Sequence, residues 1–221
     1  DRVVRLEAAR VLAPLLRQQL PDQFRDQLQQ AVEEYAQAQY VTADRPESQL
    51  NLGLIAVAVG DAPQAEQAYR AALRLDPGFA PAYANLADLY RQQGQDAQGE
   101  VLLRAGMAAA RDNPDLPHAL GLLLVREKRL TEALPYLRQA AESAADRPRY
   151  AYVYALALQG AGNPAEALAV LGRANQRHPG DRDILQALVS LHRELGQTEQ
   201  AERFAQELAT RYPQEAAQQL Q

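Results

Sequence analysis

The sequence predicts an all-α fold, an α-solenoid of stacked antiparallel helical hairpins, and three observations lead there. The chain aligns with itself at a shift of 34 residues, a period in the range that marks repeat architectures. One column of the alignment reads Gly60, Gly94, Lys128, Gly162 and Gly196, a turn position where glycine can take the left-handed conformation that ends a helix. The other strong columns hold large apolar and small residues at helical spacing.

Composition agrees with this and narrows the function. Hydrophobic residues make up 47% of the chain but aromatics only 6%, with no Trp, so the core must be built from Ala, Leu and Val, which suits closely packed helices. The formal net charge is −5 and the pI about 5.3. No basic stripe exists to displace counterions from a phosphate backbone, and nucleic acid is not expected as a partner. With no cysteine, disulfides, thiolate chemistry, haem attachment through CxxCH and Cys-ligated zinc are excluded within this chain. No apolar run approaches the roughly 18 residues of a membrane span, and no charged-then-apolar leader precedes the first helix, so membrane insertion is not expected. Because the first residue is Asp1 rather than Met, the chain is expected to be processed or excised from a longer one.

Residues 1–45 precede the regular repeats. Val3, Val4, Val11, Leu12, Leu15 and Leu16 predict a helix over 3–19, and Phe24, Leu28, Ala31, Val32, Tyr35 and Ala38 predict a long amphipathic helix over 22–43. Ala31, Tyr35 and Ala38 stand 34 residues before Ala65, Tyr69 and Ala72. The second of these helices therefore reads as the outer half of a degenerate hairpin that caps the first true repeat.

Five repeats follow, at 46–79, 80–113, 114–147, 148–181 and 182–215, leaving 216–221 as a tail. On the first helix of each, Leu52, Leu86, Leu120, Tyr154 and Leu188 form a large column beside a mostly small one of Gly53, Ala87, Gly121, Ala155 and Val189. On the second helix, Ala65, Gly99, Ala133, Ala167 and Ala201 allow close approach while Tyr69, Leu103, Leu137 and Leu171 supply bulk. Pro77, Pro179 and Pro213 stand where a helix must stop; Arg111 and Ala145 replace that proline in two units. Gly99 and Gly106 are expected to weaken the outer helix of the second unit, where each costs up to about 1 kcal/mol relative to alanine. After Pro213 only QEAAQQLQ remains, short for the polar capping helix such arrays use, so the last hairpin is expected to expose part of its stacking face and to favour self-association.

These columns resemble the tetratricopeptide repeat family over roughly residues 46 to 215, most clearly in YANLADLYRQQG at Tyr83 to Gly94 and AEQAYRAALRLDP at Ala65 to Pro77. The resemblance implies a right-handed superhelix, with a concave surface lined by the first helix of each hairpin. With packed helices about 8–10 Å apart, that surface would run on the order of 50 Å. Carried over residue by residue, the implied partner-binding groove includes Asn51, Asn85, Asp88, Arg91, His118, Arg126, Arg149, Tyr152, Gln186 and Arg193. The arginines suit acidic side chains or a terminal carboxylate, and the asparagines suit an extended peptide backbone. Leu50, Leu54 and Ala84 break the clamp that relatives use on chaperone tails, so chaperone-tail binding is not expected. Further upstream, VRLEAARVLAPLL at Val4 to Leu16 is similar to the closing helix of a HEAT-type repeat. The order HEAT then tetratricopeptide occurs in large bacterial multihaem cytochrome proteins; that likeness implies the C-terminal segment of such a protein, with the haems elsewhere and a periplasmic location. Otherwise a cytoplasmic location is expected.

No residue pattern carries catalysis. His118, His178 and His192 lack HExxH or i, i+4 ligand pairing, so no metal is expected. His192 shares a column with Tyr90, Leu124 and Leu158 and reads as packing; His178, before Pro179, reads as solvated; His118 is expected to face the concave surface. Carboxylates are scattered, with Glu33 and Glu34 pointing different ways around their helix, and Ser48, Ser143 and Ser190 have no adjoining base. The expectation is a non-enzymatic scaffold with no cofactor, holding a peptide or helix of a protein partner. The alternative is a structural module that docks on other domains of its parent protein or forms a homodimer through its solenoid ends.

Overall fold

Residues 2–213, the part described by the computed structural model, form twelve α-helices and one 3-10 turn, with no strand among the described residues. The chain divides into two compact units, Asp1–Leu116 and Pro117–Gln221. The first holds α1 (Arg2–Leu12), the 3-10 turn Ala13–Arg17, α2 (Asp22–Tyr40), α3 (Pro46–Val59), α4 (Ala62–Leu75), α5 (Ala80–Gln92) and α6 (Asp96–Ala109). The second holds nearly all of α7 (Asp115–Arg126), then α8 (Leu130–Ser143), α9 (Pro148–Gly160), α10 (Pro164–Arg177), α11 (Arg182–Glu194) and α12 (Thr198–Arg211). The turns are spaced regularly enough that α4, α6, α8, α10 and α12 are each 14 residues long.

Every hairpin turns in the same way. Gly60, Gly94, Lys128, Gly162 and Gly196 have φ of 91°, 72°, 63°, 81° and 70°. After each, the next amide donates back to the carbonyl five residues earlier, at 2.8 Å for Asp61 to Ala56, Gln95 to Tyr90 and Asn163 to Leu158, and 2.9 Å for Arg129 to Leu124 and Gln197 to His192. This is the bond pattern that closes a helix on a left-handed residue. Lys128 holds the strained conformation with a side chain, which costs about 1–2 kcal/mol. Lys128→Gly is therefore expected to stabilise the chain by about 1 kcal/mol, read as a raised urea midpoint.

The second helices stop with or without a proline. Pro77 and Pro179 stand two residues beyond α4 and α10, yet α6 and α8 end on Ala110 (φ −120°, ψ 67°) and Ala144 (φ −130°, ψ 61°), much as α10 ends on His178 (φ −125°, ψ 69°). The second helices therefore stop at this position whether or not a proline ring follows.

The small columns are contact points. A Cβ on Gly121 would lie 2.5 Å from Leu137 Cδ2, and one on Gly106 would lie 2.6 Å from Tyr83 Cγ. Gly106 therefore has a purpose that helix propensity hides, since it makes room for a tyrosine ring. Ala56, Ala65, Tyr69, Leu86, Leu89 and Tyr90 join the first two hairpins of the first unit in one core. Ala9, Ala13, Tyr35 and Ile55 join the N-terminal segment to α3.

That segment differs from the expected single helix over 3–19, since α1 ends at Leu12 and the chain continues in the 3-10 turn Ala13–Arg17. Val3, Val4, Val11 and Leu12 do not face the array; they are 67%, 64%, 62% and 43% exposed, while Leu6, Ala9 and Ala13 turn inward. Small residues pack α1 closely and leave the larger ones outside. The expectation about the chain after Pro213 lies outside the described residues.

Candidate functional site

The first helices of consecutive hairpins pack on each other within each unit, α3 on α5 and α9 on α11. Side chains of one helical face on these helices recur every three or four residues. In the first unit, Asn51 is half-buried, its Nδ2 donating to Gln39 Oε1 at 3.0 Å. It lines a pocket of about 280 Å³ with Arg10, Tyr35, Leu54 and Ile55. Asn85 is also half-buried and donates to the Pro81 carbonyl oxygen of its own helix at 2.8 Å. Asp88 and Arg91 pair at 2.6 Å on the exposed side of α5, and Asp88 holds the Arg91 guanidinium above its ordinary value. Such an exposed pair is worth about 1 kcal/mol or less, so an incoming carboxylate can displace it.

In the second unit, α9 presents Arg149, Tyr152, Leu156 and Gln159 at intervals of three and four, and α11 presents Gln186, Ser190 and Arg193. Gln159 donates from α9 to Glu194 of α11, tying the two faces together. Tyr152 and Gln186 are half-buried, whereas Arg149 and Arg193 are exposed. Arg126 is exposed at the end of α7. His118 departs from expectation: it is only 8% exposed, with its ring stacked on Tyr150 at 4.3 Å between centroids. The aromatic residue that opens the next hairpin covers it, so it serves packing.

The other histidines are structural as well. His178 is not simply solvated, because its Nε2 hydrogen-bonds the Ala145 carbonyl oxygen at 2.8 Å and ties α10 to the end of α8. His192 stacks on Phe204 at 5.5 Å, in keeping with a packing column. No group of three or more His, Cys, Asp or Glu among the described residues could hold a metal, and no helix among them is long and apolar enough to cross a membrane.

Of two exposed leucines on these faces, sequence reasoning passed over Leu156, at 41% exposure, and took Leu54, at 42%, only as a departure from the chaperone-tail clamp. The signal was present in the column Leu54, Asp88, Leu122, Leu156 and Ser190, one per repeat. An apolar residue kept at a surface position of a repeat is a candidate anchor.

Polar clusters on the second helices have a different use. Tyr90 donates to Glu66 Oε1 at 2.8 Å while Arg70 bonds both, at 2.8 Å to Glu66 and 2.7 Å to the Tyr90 hydroxyl. Arg70, then Tyr90, hold the Glu66 carboxyl below its usual range. Tyr154 donates to Glu166 at 3.0 Å; burial, then that carboxylate, push its phenol up to about 12. A raised folded value means stability that is complete below the unfolded phenol range near pH 10 and is lost as pH rises toward 12. Tyr154→Phe should therefore lose less stability than the parent between pH 10 and 12, read from urea midpoints across that window.

Comparison with known proteins follows the same lines. A family model described as Tetratricopeptide repeat matches residues 56–123 and 158–221, and a second of the same description matches 118–181. Among solved structures, YrrB, a TPR protein with an unusual peptide-binding site, superposes with a TM-score of 0.59 at 22% identity, covering 80% of this chain and 91% of that one. MamA gives 0.64 at 17% identity over 75% and 97% of the two chains. Pseudomonas aeruginosa pilF gives 0.64 at 22% identity over 75% of each. These likenesses establish an all-α helical-repeat solenoid. No curated protein matches the chain in sequence.

Proposed function

The chain belongs to the tetratricopeptide repeat family, and from that premise we propose a protein-interaction scaffold whose first-helix face holds an extended peptide or a helix of a partner. Repeats of this family generally mediate protein–protein interaction and are generally non-catalytic. The observation that carries the reading is the α9 face, where Leu156 stays 41% exposed beside Tyr152 in helical register. Aromatic and aliphatic anchors of this kind dominate recognition energy, while flanking arginines such as Arg149 and Arg193 set orientation and specificity. Arg126 and Gln186 complete the proposed contact set of this unit, and Asn51, Asn85, Asp88 and Arg91 form the corresponding proposed set of the first unit; His118 is left out because of its burial.

The test is selection of peptides from a displayed random library on the wild-type chain, followed by calorimetry with a synthetic winner. A Tyr152→Ala, Leu156→Asp double variant should bind at least about tenfold more weakly, equivalent to 1.4 kcal/mol or more. Unchanged affinity in a variant with wild-type circular dichroism would remove the α9 face from the proposal.

A second reading is favoured by one observation, the exposed Val3, Val4, Val11 and Leu12 of α1. Such a stripe is suited to covering by another domain of a parent protein or by a second copy. Light scattering from micromolar to near-millimolar concentration separates these, since a strict monomer throughout argues against the second copy.

A further inference from the structure

Two clefts on the second-helix side of the hairpins occupy the same place in the repeat. One, of about 330 Å³, lies between α8, α9 and α10 in the second unit, and the other, of about 300 Å³, lies between α2, α3 and α4 in the first. Tyr40, Gln49, Leu52, Ala68 and Ala71 line the first-unit cleft; Glu142, Ala151, Tyr154, Val170 and Arg173 stand three repeats later and line the other. The cavity is thus a product of the repeat geometry, while its chemistry is particular to each site.

In the α8–α10 cleft that chemistry is cationic. Arg173 and Arg177 lie one turn apart on α10, both exposed. On other second helices Arg70 pairs with Glu66 at 2.8 Å, Arg104 with Glu100 at 2.6 Å and Arg211 with Glu207 at 3.1 Å, each four residues apart. On α10 the residue four before Arg173 is Ala169, and the residue four before Arg177 is Arg173 itself. Neither arginine forms an ion pair among the described residues. Two such like charges one turn apart are mutually unfavourable until an anion joins them.

The floor is made of short apolar side chains, Ala141, Ala145, Ala151 and Ala174. Glu142 on the α8 wall is the acid among the lining residues; it repels a carboxylate from its own side and can accept a backbone N–H. The Tyr154 hydroxyl already donates its proton to Glu166, so it has none to give an incoming carboxylate, and its ring offers surface. We propose that this cleft is a second binding site, separate from the first-helix face, for an extended acidic peptide. A glutamate of that peptide lies with its methylenes along the alanine floor and its carboxylate against Arg173 and Arg177. The guanidinium fork matches a carboxylate in two-point geometry, and the cavity, at the small end of ligand sites, takes one or two side chains rather than a cofactor.

The test is fluorescence anisotropy with a labelled decaglutamate peptide in low-salt buffer, using the whole chain. Saturable binding is expected, weakened about tenfold or more by Arg173→Glu with Arg177→Glu and by added salt. Arg74→Glu in the first-unit cleft and the Tyr152→Ala, Leu156→Asp pair should leave it intact, which keeps this outcome distinct from failure of the first-helix proposal. The milder Arg173→Gln, Arg177→Gln pair serves if charge reversal disturbs folding. Absence of binding, retention of binding by both arginine pairs, or equal loss through Arg74→Glu would overturn the assignment. Equal affinity for an oligonucleotide of matching charge would also overturn it, since the site would then read charge and not a carboxylate on an apolar stem.

Discussion

Gly53→Ala is expected to destabilise the chain by about 1–3 kcal/mol, even though alanine is the better helix former by about 1 kcal/mol. The added Cβ would sit closer than 3.0 Å to three carbons of the Tyr69 ring. That ring is 1% exposed and belongs to the core joining the first two hairpins, so it has little room to retreat. The same two columns read Gly53 with Tyr69, Ala87 with Leu103, Gly121 with Leu137, Ala155 with Leu171 and Val189 with Ala205. Except in the third hairpin, the small partner grows as the large one shrinks, which is what a contact of fixed spacing demands. Adding Tyr69→Leu to Gly53→Ala recreates the pairing of the second and fourth hairpins and should recover part of the loss. Urea denaturation of the two single variants and the double gives the coupling directly; additive effects would mean that the two positions do not share one space.

Leu158→Ala and Leu156→Ala should differ widely although they lie two residues apart on α9. Leu158 is 1% exposed, and its truncation is expected to cost about 2–5 kcal/mol through lost burial and the cavity left behind. Leu156 is 41% exposed, and its truncation should change stability by about 0.5 kcal/mol or less. Denaturant midpoints measure both effects, and affinity for a selected peptide should fall in the Leu156 variant even though its stability is kept. A Leu156 variant that unfolds as easily as the Leu158 variant would place that side chain in the core and withdraw it from the recognition surface.

The architecture was legible because its rules are local. A left-handed turn selects glycine, so four of the five turn residues announced themselves, and Lys128 was found through register alone. The inward face of the N-terminal helix was not legible, because Val3, Val4 and Val11 outweigh Leu6, Ala9 and Ala13 in hydrophobicity although the latter three turn inward. Close packing of small side chains carries little signal in composition. His118 was misplaced for another reason: its register points to a first-helix surface, but the ring that covers it, Tyr150, comes from 32 residues further along. Leu54 was weighed only against the chaperone-tail clamp, and Leu156 in the same column was passed over because attention went to groups that hydrogen-bond. The clefts beside α4 and α10 had no signature in one repeat, since their walls come from three helices.

The turn bonds have a consequence for the chain's history. Each hairpin closes with backbone atoms of its own first helix and of the first two or three residues after it, as in Gly162 to Gln159 at 3.0 Å and Asn163 to Leu158 at 2.8 Å. Among the described residues, no backbone atom of a neighbouring hairpin takes part in that closure. A 34-residue cassette copied or deleted in frame therefore keeps its own bend, and only the side chains at the new junction must be reconciled. Lengthening or shortening is then an inexpensive route of change for such a chain, while drift in the exposed positions can give each inherited copy a different ligand without disturbing the bend it came with.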